Sequence, residues 1–413
     1  MPFSKFNLSK PLLKALQKSA FKSPTSIQTK VIPLVLEGKD VMAKAQTGTG
    51  KSASFVLPVL EMWSRKKGEG KAKIKVLVLA PTRELTLQLS EAFRTFGAFL
   101  PQKPKVVAII GGEKIGEQLY DIQQGCDILV STSGRFIDVL SKKQMNLSSL
   151  EFFILDEADK MLDLGFAEEL ELILQAIPQK RQNLLFSATY PPKMLSIASK
   201  ITQTPVETSV EDEETTVSTI TQRALLVNKE NRAPLLRHLI KEEKLEQVLV
   251  FMANKRAADN IAVKFRKHGF KAEAFHGDFT QEDRTAILDD FKSKKIHILF
   301  STDLLSRGLH IEDISCVINF DLPRSPADYI HRIGRTGRAG KSGMSIAFIG
   351  HEESAHFALI EKRSDKKLQR EQIEGFELQG EEPKKVKGPQ PVKGKGKSKK
   401  DKLREKEALK ETK

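Results

Sequence analysis

The sequence contains few cysteine, tryptophan and tyrosine residues. Among its 413 residues there are two cysteines, one tryptophan and three tyrosines. The cysteines, Cys126 and Cys316, lie far apart, and no group of cysteines and histidines has the spacing of metal ligands. We therefore expect neither a disulfide framework nor a metal cluster of this kind, and the cysteine usage favours a reducing compartment.

Long apolar runs are also missing. No apolar segment reaches the roughly 18 residues that a membrane-spanning helix needs. The N-terminal sequence MPFSKFNLSKPLLKALQ lacks the long apolar core of a secretory signal. We expect a soluble, cytoplasmic protein that has no membrane partner.

Basic residues, in contrast, are abundant. The chain has 68 Lys+Arg and 53 Asp+Glu, a net charge of +15, and a pI near 9.5, which favours a polyanionic partner. Residues 381–413 hold 13 basic and 6 acidic side chains, a net +7, which leaves +8 for the first 380 residues. Because this last segment has no aromatic residue and mixes lysine with glycine and proline, we predict a disordered basic tail.

Before the tail, short β-branched runs alternate with longer helical patterns, which indicates parallel sheets covered by helices on both faces. The predicted strands are Val76–Ala80, Val106–Ile110, Ile128–Ser131, Phe152–Leu155, Leu184–Phe186, Gln247–Phe251, Ile296–Phe300, Cys316–Phe320 and Met344–Ile349. An acidic, Thr/Ser-rich stretch separates the two groups of strands. We predict two tandem α/β domains, 1–206 and 220–365, joined by a linker at 207–219 and followed by an extension and tail at 366–413.

A glycine-rich turn between an apolar run and a helical pattern is a candidate phosphate site. Backbone N–H groups converge on phosphate oxygens in such turns, and the helix N-terminus adds partial positive charge. Lys51 would neutralise the β- and γ-phosphates, and the Ser52 hydroxyl would ligate Mg²⁺. Ala45 stands where the strict pattern has glycine, so an ordinary strand-to-helix turn is the alternative. The candidate residues are Ala45, Gln46, Thr47, Gly48, Thr49, Gly50, Lys51 and Ser52.

Acidic residues follow the buried-strand pattern at Phe152–Leu155. A carboxylate at the C-terminal end of a parallel strand lies where such sheets bind ligands. Asp156 would hold Mg²⁺, directly or through water, and Glu157 would orient the attacking water. A solvated acidic helix start is the alternative, which the upstream Lys51 disfavours.

The residues Asp156-Glu157-Ala158-Asp159 spell D-E-A-D, and the chain resembles the DEAD-box family of ATP-dependent RNA helicases over roughly residues 3–350. Within the family it looks most similar to bacterial members of the RhlE type. The resemblance implies two RecA-like domains of the P-loop NTPase type, with ATP and Mg²⁺ as cofactors. It also implies an RNA-dependent ATPase that locally unwinds short RNA duplexes or remodels RNA–protein complexes by ATP-driven domain closure.

The resemblance implies an adenine-binding motif upstream of the phosphate loop. Gln28 would pair with the adenine edge, and Phe3 and Phe21 would supply aromatic surface, although an amphipathic-helix anchor is the alternative for Phe3. His310 stands where the family usually has an aspartate that bonds the ATP ribose. We expect this departure to weaken ATP binding and to leave the chemistry intact.

The resemblance also implies a set of RNA contacts in both domains. Exposed backbone N–H groups, hydroxyls and guanidinium groups suit a sugar-phosphate chain whose bases are not read. Ser133 replaces the family's usual proline and loosens one of these turns, and each motif taken alone could be a plain loop. The implied RNA-binding residues are Arg83, Gly112, Thr132, Gly134, Arg135, Arg284 and Thr302.

A further set would link the ATP state to domain closure. By resemblance Arg335 and Arg338 reach across the cleft to the γ-phosphate, where such arginines accelerate hydrolysis by about 10³- to 10⁵-fold. A solvated basic loop is the alternative for this segment. The implied coupling residues are Asp159, Ser187, Thr189, Asp303, Arg307 and His331.

Two other functions remain open at this stage. One is a DNA-directed translocating helicase with the same two domains, and the other is a non-catalytic RNA-binding or annealing protein dominated by its basic tail. The expected partner is structured or duplex RNA bound with little sequence specificity, and ribosome-assembly or RNA-decay proteins are possible further partners. The tail at 381–413 would act as a nonspecific RNA tether or only as a solubility device.

Overall fold

The structure is a computed structural model that describes residues 2–19, 21–45, 49–65, 71–209, 220–303, 314–337, 342–364 and 366–380. Contacts group residues Met1–Leu378 into one compact unit that contains both sheets. Several predicted features lie outside the described residues. They are Gln46, Thr47, Gly48, Arg307, His310, Arg338, most of the linker (210–219) and the tail at 381–413.

The first half of the chain forms a seven-stranded parallel sheet in the order β3-β4-β2-β5-β6-β1-β7. Its strands are β1 (Val41–Lys44), β2 (Val76–Ala80), β3 (Val106–Ile109), β4 (Ile128–Thr132), β5 (Phe152–Leu155), β6 (Gln182–Ser187) and β7 (Val206–Ser209). Its helices are α1 (Lys10–Lys18), α2 (Ser26–Leu36), α3 (Lys51–Arg65), α4 (Arg83–Gly97), α5 (Ile115–Gln123), α6 (Ser133–Ser141), α7 (Ala158–Asp163), α8 (Ala167–Ala176) and α9 (Pro192–Ile201).

The second half forms another seven-stranded parallel sheet, in the order β10-β11-β9-β12-β13-β8-β14. Its strands are β8 (Ile220–Leu226), β9 (Val248–Phe251), β10 (Ala272–Phe275), β11 (Ile298–Ser301), β12 (Cys316–Asn319), β13 (Gly343–Ile349) and β14 (Arg370–Glu371). Its helices are α10 (Arg232–Glu242), α11 (Lys255–Lys267), α12 (Gln281–Lys292), α13 (Pro326–Ile333) and α14 (Ser354–Ser364). Short 3₁₀ turns occur at Phe3–Phe6, Lys229–Asn231 and His351–Glu353.

The continuous apolar strands explain why helices cover both faces of each sheet. In β2, Val76 and Val78 pack into one hydrophobic cluster, whereas Leu77 and Leu79 pack into another on the opposite face. Because side chains alternate between faces along a strand, a strand that is apolar at every position must be covered on both sides. The predicted fold class of two tandem parallel-sheet α/β domains is confirmed.

The structure differs from the predicted linker at its N-terminal end. Residues 207–209 belong to β7, which pairs in parallel with β1 at the edge of the first sheet. The V-E-T-S sequence of β7 is only half-buried, and an edge strand of this kind lacks the apolar run that marks the central strands.

The residues after α14 also pack on a sheet. Strand β14 pairs with β8, and Phe376 packs against the core of the second sheet and the ring of His238. This two-residue strand is too short to show an apolar pattern. In the part of the chain that the structure describes, no helix is long and apolar enough to cross a membrane.

The sheet order places three sequence motifs at one edge of the first sheet. Strands β1 and β5 both neighbour β6, and all three run in the same direction. Because parallel strands end at a common edge, the segments that follow β1, β5 and β6 come together there. The candidate phosphate turn, the D-E-A-D residues and the Ser187–Thr189 segment are therefore neighbours.

Candidate active site

A buried ion pair joins the candidate phosphate turn to the acidic segment. Helix α3 begins at Lys51, whose Nζ lies 2.6 Å from Asp156 Oδ1 just beyond β5. Both side chains are almost completely buried. Burial alone would lower the pKa of Lys51, but the charges of Asp156 and Glu157 outweigh it and keep that pKa above its ordinary value. Lys51 is therefore a fixed cation at the edge of the sheet.

Asp156 has one oxygen engaged and one oxygen available. Its Oδ1 accepts the Glu157 N–H at 2.8 Å in addition to facing Lys51. Its Oδ2 is buried and has no hydrogen-bond partner among the described residues. A buried carboxylate oxygen of this kind fits a divalent cation. The described residues contain no group of three His, Cys, Asp or Glu that could hold a metal, so phosphate and water would complete the coordination of a cation such as Mg²⁺.

Glu157 caps α7 in an uncommon backbone conformation. Its φ of 52° and ψ of 50° lie in the left-handed region, and its Oε2 lies 2.8 Å from Lys160 Nζ. Burial alone would raise the pKa of the Glu157 carboxyl group, but three surrounding cations lower it to about 2. In order of effect they are Lys160, Lys51 and Arg335. Glu157 is therefore ionised at neutral pH.

Asp159 connects the acidic segment to the end of β6. Its Oδ2 accepts both the N–H and the hydroxyl of Thr189, at 2.9 and 3.0 Å. The Ser187 hydroxyl accepts the Asp159 N–H at 3.1 Å and donates to the Thr189 carbonyl at 2.7 Å. The Thr189 hydroxyl therefore bonds a carboxylate, whereas the Ser187 hydroxyl bonds backbone groups.

Residues of the second half of the chain face this acidic segment. His331 lies in the last turn of α13, and Arg335 follows it with its Nε donating to the His331 carbonyl at 3.1 Å. Burial, followed by the charge of Lys160, lowers the pKa of His331 to about 4, and Asp159 opposes that shift. The buried Arg335 is among the cations that lower the pKa of Glu157. The predicted arginine and histidine therefore lie near enough to the acidic residues of the first half for their charges to interact.

The predicted adenine-binding residues are engaged with the protein. The Gln28 amide accepts the Thr25 N–H at 3.0 Å and donates to the Gly50 carbonyl at 3.0 Å. A Cβ at Gly50, whose φ is 82°, would lie 2.5 Å from Gln28 Nε2, so this contact requires glycine. Phe3 is buried in the core and makes an edge contact with Phe21, as the alternative of a helix anchor implies.

Three of the predicted RNA-binding residues meet at one loop. The guanidinium group of Arg83, at the start of α4, lies against Gly112, where a Cβ would be 2.5 Å from Arg83 Nη1. Arg135 donates from Nη1 and Nη2 to the Glu113 carbonyl, both at 3.0 Å. Arg135 thus stabilises the loop by bonding its backbone. Its contacts are with protein atoms, which sequence reasoning did not anticipate.

Arg284 differs most from its expected role. Instead of projecting from the surface, it is buried and forms an ion pair with Glu84 on α4 of the first half. Burial lowers the pKa of Arg284, and Glu84 counteracts that effect. Because Arg284 lies on α12, this ion pair joins the two halves of the chain. Glu84 follows the predicted residue Arg83 directly, but no local pattern marks it as a charge partner.

Asp303 also has a partner that we did not predict. Its two oxygens accept hydrogen bonds from Arg332 Nε and Nη2 at 2.5 and 2.7 Å, so the pair lies within the second half.

The remaining predicted RNA-binding residues lie at the end of a strand or shortly after one. Thr132 is the last residue of β4, and Thr302 directly follows β11. Gly134 lies in the first turn of α6, and no atom beyond the local helix backbone lies within 4 Å of the position that a Cβ would occupy. The half-buried Ser52 follows Lys51 in α3, and Thr49 and Gly50 directly precede this helix. Ala45 is buried and directly follows β1.

Comparison with known families gives two matches. The profile of the DEAD/DEAH box helicase family matches residues 25–197, and that of the helicase conserved C-terminal domain matches residues 231–340. The protein of Bacillus subtilis named DEAD-box ATP-dependent RNA helicase CshA is 40% identical over 368 residues. That match covers 89% of this chain and 73% of the relative.

Solved structures are similar over most of the chain. S. cerevisiae Dbp5 bound to RNA and ADP BeF3 is 30% identical, and the match covers 90% of this chain and 95% of Dbp5 with a TM-score of 0.79. Mss116p bound to ssRNA and AMP-PNP is 28% identical, and the match covers 90% of this chain and 78% of Mss116p with a TM-score of 0.81. Both matches span the two sheets together.

Proposed function

Since the chain belongs to the DEAD-box family of ATP-dependent RNA helicases, we propose that it hydrolyses ATP in response to RNA and locally unwinds short RNA duplexes or remodels RNA–protein complexes. The observation that carries this proposal is the charge arrangement at the edge of the first sheet. A buried Lys51–Asp156 pair lies beside an ionised Glu157, and Arg335 of the second half faces them. This arrangement is suited to a triphosphate that lies between the two halves.

Each residue has a separate task in this proposal. Lys51, at the N-terminus of α3, binds the β- and γ-phosphates, and Arg335 stabilises the charge that develops on the γ-phosphate. Glu157 accepts a hydrogen bond from the attacking water and orients it. Asp156, through its available Oδ2, and Ser52 would hold Mg²⁺, which when bound neutralises charge on the phosphate oxygens.

Domain closure follows from the location of the charges. Glu157 and Asp159 belong to the first half, whereas His331 and Arg335 belong to the second, and they interact electrostatically. A ligand that bridges the halves stabilises the closed arrangement, so ATP and RNA should each raise the affinity of the other. The similarity to Dbp5 and Mss116p, both bound to RNA and a nucleotide analogue, supports this closed arrangement.

The RNA-binding residues, the domain limits, the cellular location, the protein partners and the subgroup within the family are also proposals. We propose RNA-binding roles for Arg83, Gly112 and Arg135. We also propose two domains that extend beyond the predicted limits of 206 and 365, because β7 pairs with β1 and β14 pairs with β8. A cytoplasmic location rests on the cysteine usage, and ribosome-assembly or RNA-decay proteins would be partners. Placement with RhlE-type members rests on the motifs alone, because the relative reported above is named CshA.

The choice of nucleic acid tests the proposed function. We expect ATP hydrolysis by the full chain to be stimulated by single-stranded or duplex RNA and not by DNA of the same sequence, because the 2′-OH distinguishes them. Phosphate release and strand separation of a short labelled duplex would be measured in parallel. Equal stimulation by DNA would instead support a DNA-directed helicase.

The Arg284–Glu84 ion pair leads to a second prediction. If it holds the closed state, Arg284→Ala and Glu84→Gln should each weaken RNA binding by about tenfold, measured with a non-hydrolysable ATP analogue present, because each leaves a buried charge without its partner. The double variant should lose little more than either single variant, since both remove the same interaction.

Multiplicative losses in the double variant would show that the two residues act independently. That outcome would restore the direct RNA contact first expected for Arg284. Arg266→Ala is a matched control, because Arg266 forms an exposed pair with Glu273 within the second half.

A further inference from the structure

Lys160 is a buried cation in the site for which none of the motifs accounts. It directly follows the D-E-A-D residues, and its side chain is 2% exposed. Lysine is almost never buried unless it is paired. Its partner is Glu157, the residue to which the proposed function gives the attacking water, with 2.8 Å between Lys160 Nζ and Glu157 Oε2.

The local backbone fixes both members of this pair. Glu157 is the N-cap of α7, and Lys160 lies three residues later in the first turn. The Lys160 N–H donates to the Glu157 carbonyl at 3.0 Å and to Asp159 Oδ1 at 3.0 Å. The ammonium group therefore reaches the carboxylate from a backbone that is already held in place.

We propose that Lys160 is a positioning residue for hydrolysis, which holds one oxygen of the Glu157 carboxylate and leaves the other to orient the attacking water. This inference rests on the proposed function of Glu157. A carboxylate fixed at one oxygen has its second oxygen in a defined direction, which matters because small misplacements of a catalytic group are costly in rate.

The charges around Lys160 support a specific role for the pair. Burial lowers the pKa of Lys160 to about 8, and the cations Arg335 and Lys51 act in the same direction. Glu157 acts against them and is the group that chiefly sustains the charge. On the facing helix α13, His331 has a lowered pKa, to which Lys160 contributes. The Lys160 ammonium group therefore owes its charge chiefly to Glu157, which lies 2.8 Å from its Nζ.

Two substitutions at position 160 test the proposal in the full chain. Lys160→Met keeps the length of the side chain and removes its charge, and we expect kcat for RNA-stimulated ATP hydrolysis to fall by about 10- to 100-fold. KM for ATP should stay within about twofold, because Lys51 and the phosphate turn are unchanged. Lys160→Arg, which keeps the charge, should recover most of kcat. Lys160→Gln gives the same comparison if Lys160→Met does not fold.

A double variant separates positioning from a general structural effect. In a Glu157→Gln background, Lys160→Met should reduce the single-turnover rate by less than about twofold, because both substitutions act on one carboxylate. Lys200→Met is the matched control with unchanged activity, since Lys200 forms a half-exposed pair with Glu171 at 2.5 Å. Wild-type kcat in Lys160→Met, or losses that multiply in the double variant, would overturn the proposal.

These outcomes are distinguishable from failure of the proposed function. Absence of RNA-stimulated hydrolysis in the wild-type chain would refute the function itself. Its survival in Glu157→Gln would refute the role of Glu157, and with it the role of Lys160. A wild-type rate in Lys160→Met together with an inactive Glu157→Gln would refute only the role of Lys160.

Discussion

Glu157→Gln is expected to reduce ATP turnover by about 10²- to 10⁴-fold, the usual contribution of a positioned acid or base. The substitution keeps the shape of the side chain and removes the negative charge that orients the water. Binding of ATP and RNA should persist, because Lys51 and the loop at Arg83 and Gly112, which we propose to bind RNA, are unchanged. Phosphate release under saturating ATP and RNA measures the first effect, and RNA affinity with ATP present measures the second.

This variant also decides between the enzyme and a passive RNA-binding protein. If strand separation by Glu157→Gln equalled that of the wild type without ATP turnover, the non-catalytic alternative would be correct. Glu168→Gln is a suitable control, because Glu168 lies in the first turn of α8 outside the site described above.

Arg335→Ala is expected to lower kcat for ATP hydrolysis by about 10³-fold, the lower end of the range for an arginine that contacts a transferring phosphoryl group. The side chain is buried, and its charge is among those that lower the pKa of Glu157 in the first half. The loss should therefore appear chiefly in kcat at saturating ATP and RNA, as steady-state kinetics would show.

Arg335→Lys provides a matched comparison for this prediction. Lysine keeps the positive charge but lacks the planar guanidinium group that contacts phosphate oxygens at two points, so most of the loss should remain. Equal rates for Arg335→Lys and the wild type would mean that any cation suffices. A kcat of Arg335→Ala within about twofold of the wild type would contradict the assigned role of Arg335 in stabilising the transition state.

Most of the central strands were predictable because burial on both faces leaves a continuous apolar run. Strands β5 and β2 match their predicted bounds for this reason. Strands β7, β8, β10 and β14 were not predicted, since polar or partly exposed side chains interrupt their apolar pattern. The pairing of β7 with β1 depends on backbone hydrogen bonds, which the side-chain sequence does not encode directly.

The site was predictable to the extent that its chemistry is local. The location of Lys51 at the start of a helix and of Asp156 after a strand follows from the sequence, and the sheet order then brings them together. The pairs Arg284–Glu84 and Asp303–Arg332 are not local, because each joins segments that are distant in sequence. The contact between Lys160 and Glu157 was not predicted although it is local. Its spacing of three residues at the start of a helix could have suggested it.

The left-handed backbone of Glu157 is a strain that the fold cannot remove by a single substitution. A residue other than glycine in that conformation costs about 1–3 kcal/mol, and glycine would adopt it without strain. Glycine would, however, leave the buried Lys160 ammonium group without its partner, which costs more than the strain that it relieves. Variants screened for heat resistance alone should therefore keep Glu157, so an unusual backbone conformation here does not mark a site that is free to change.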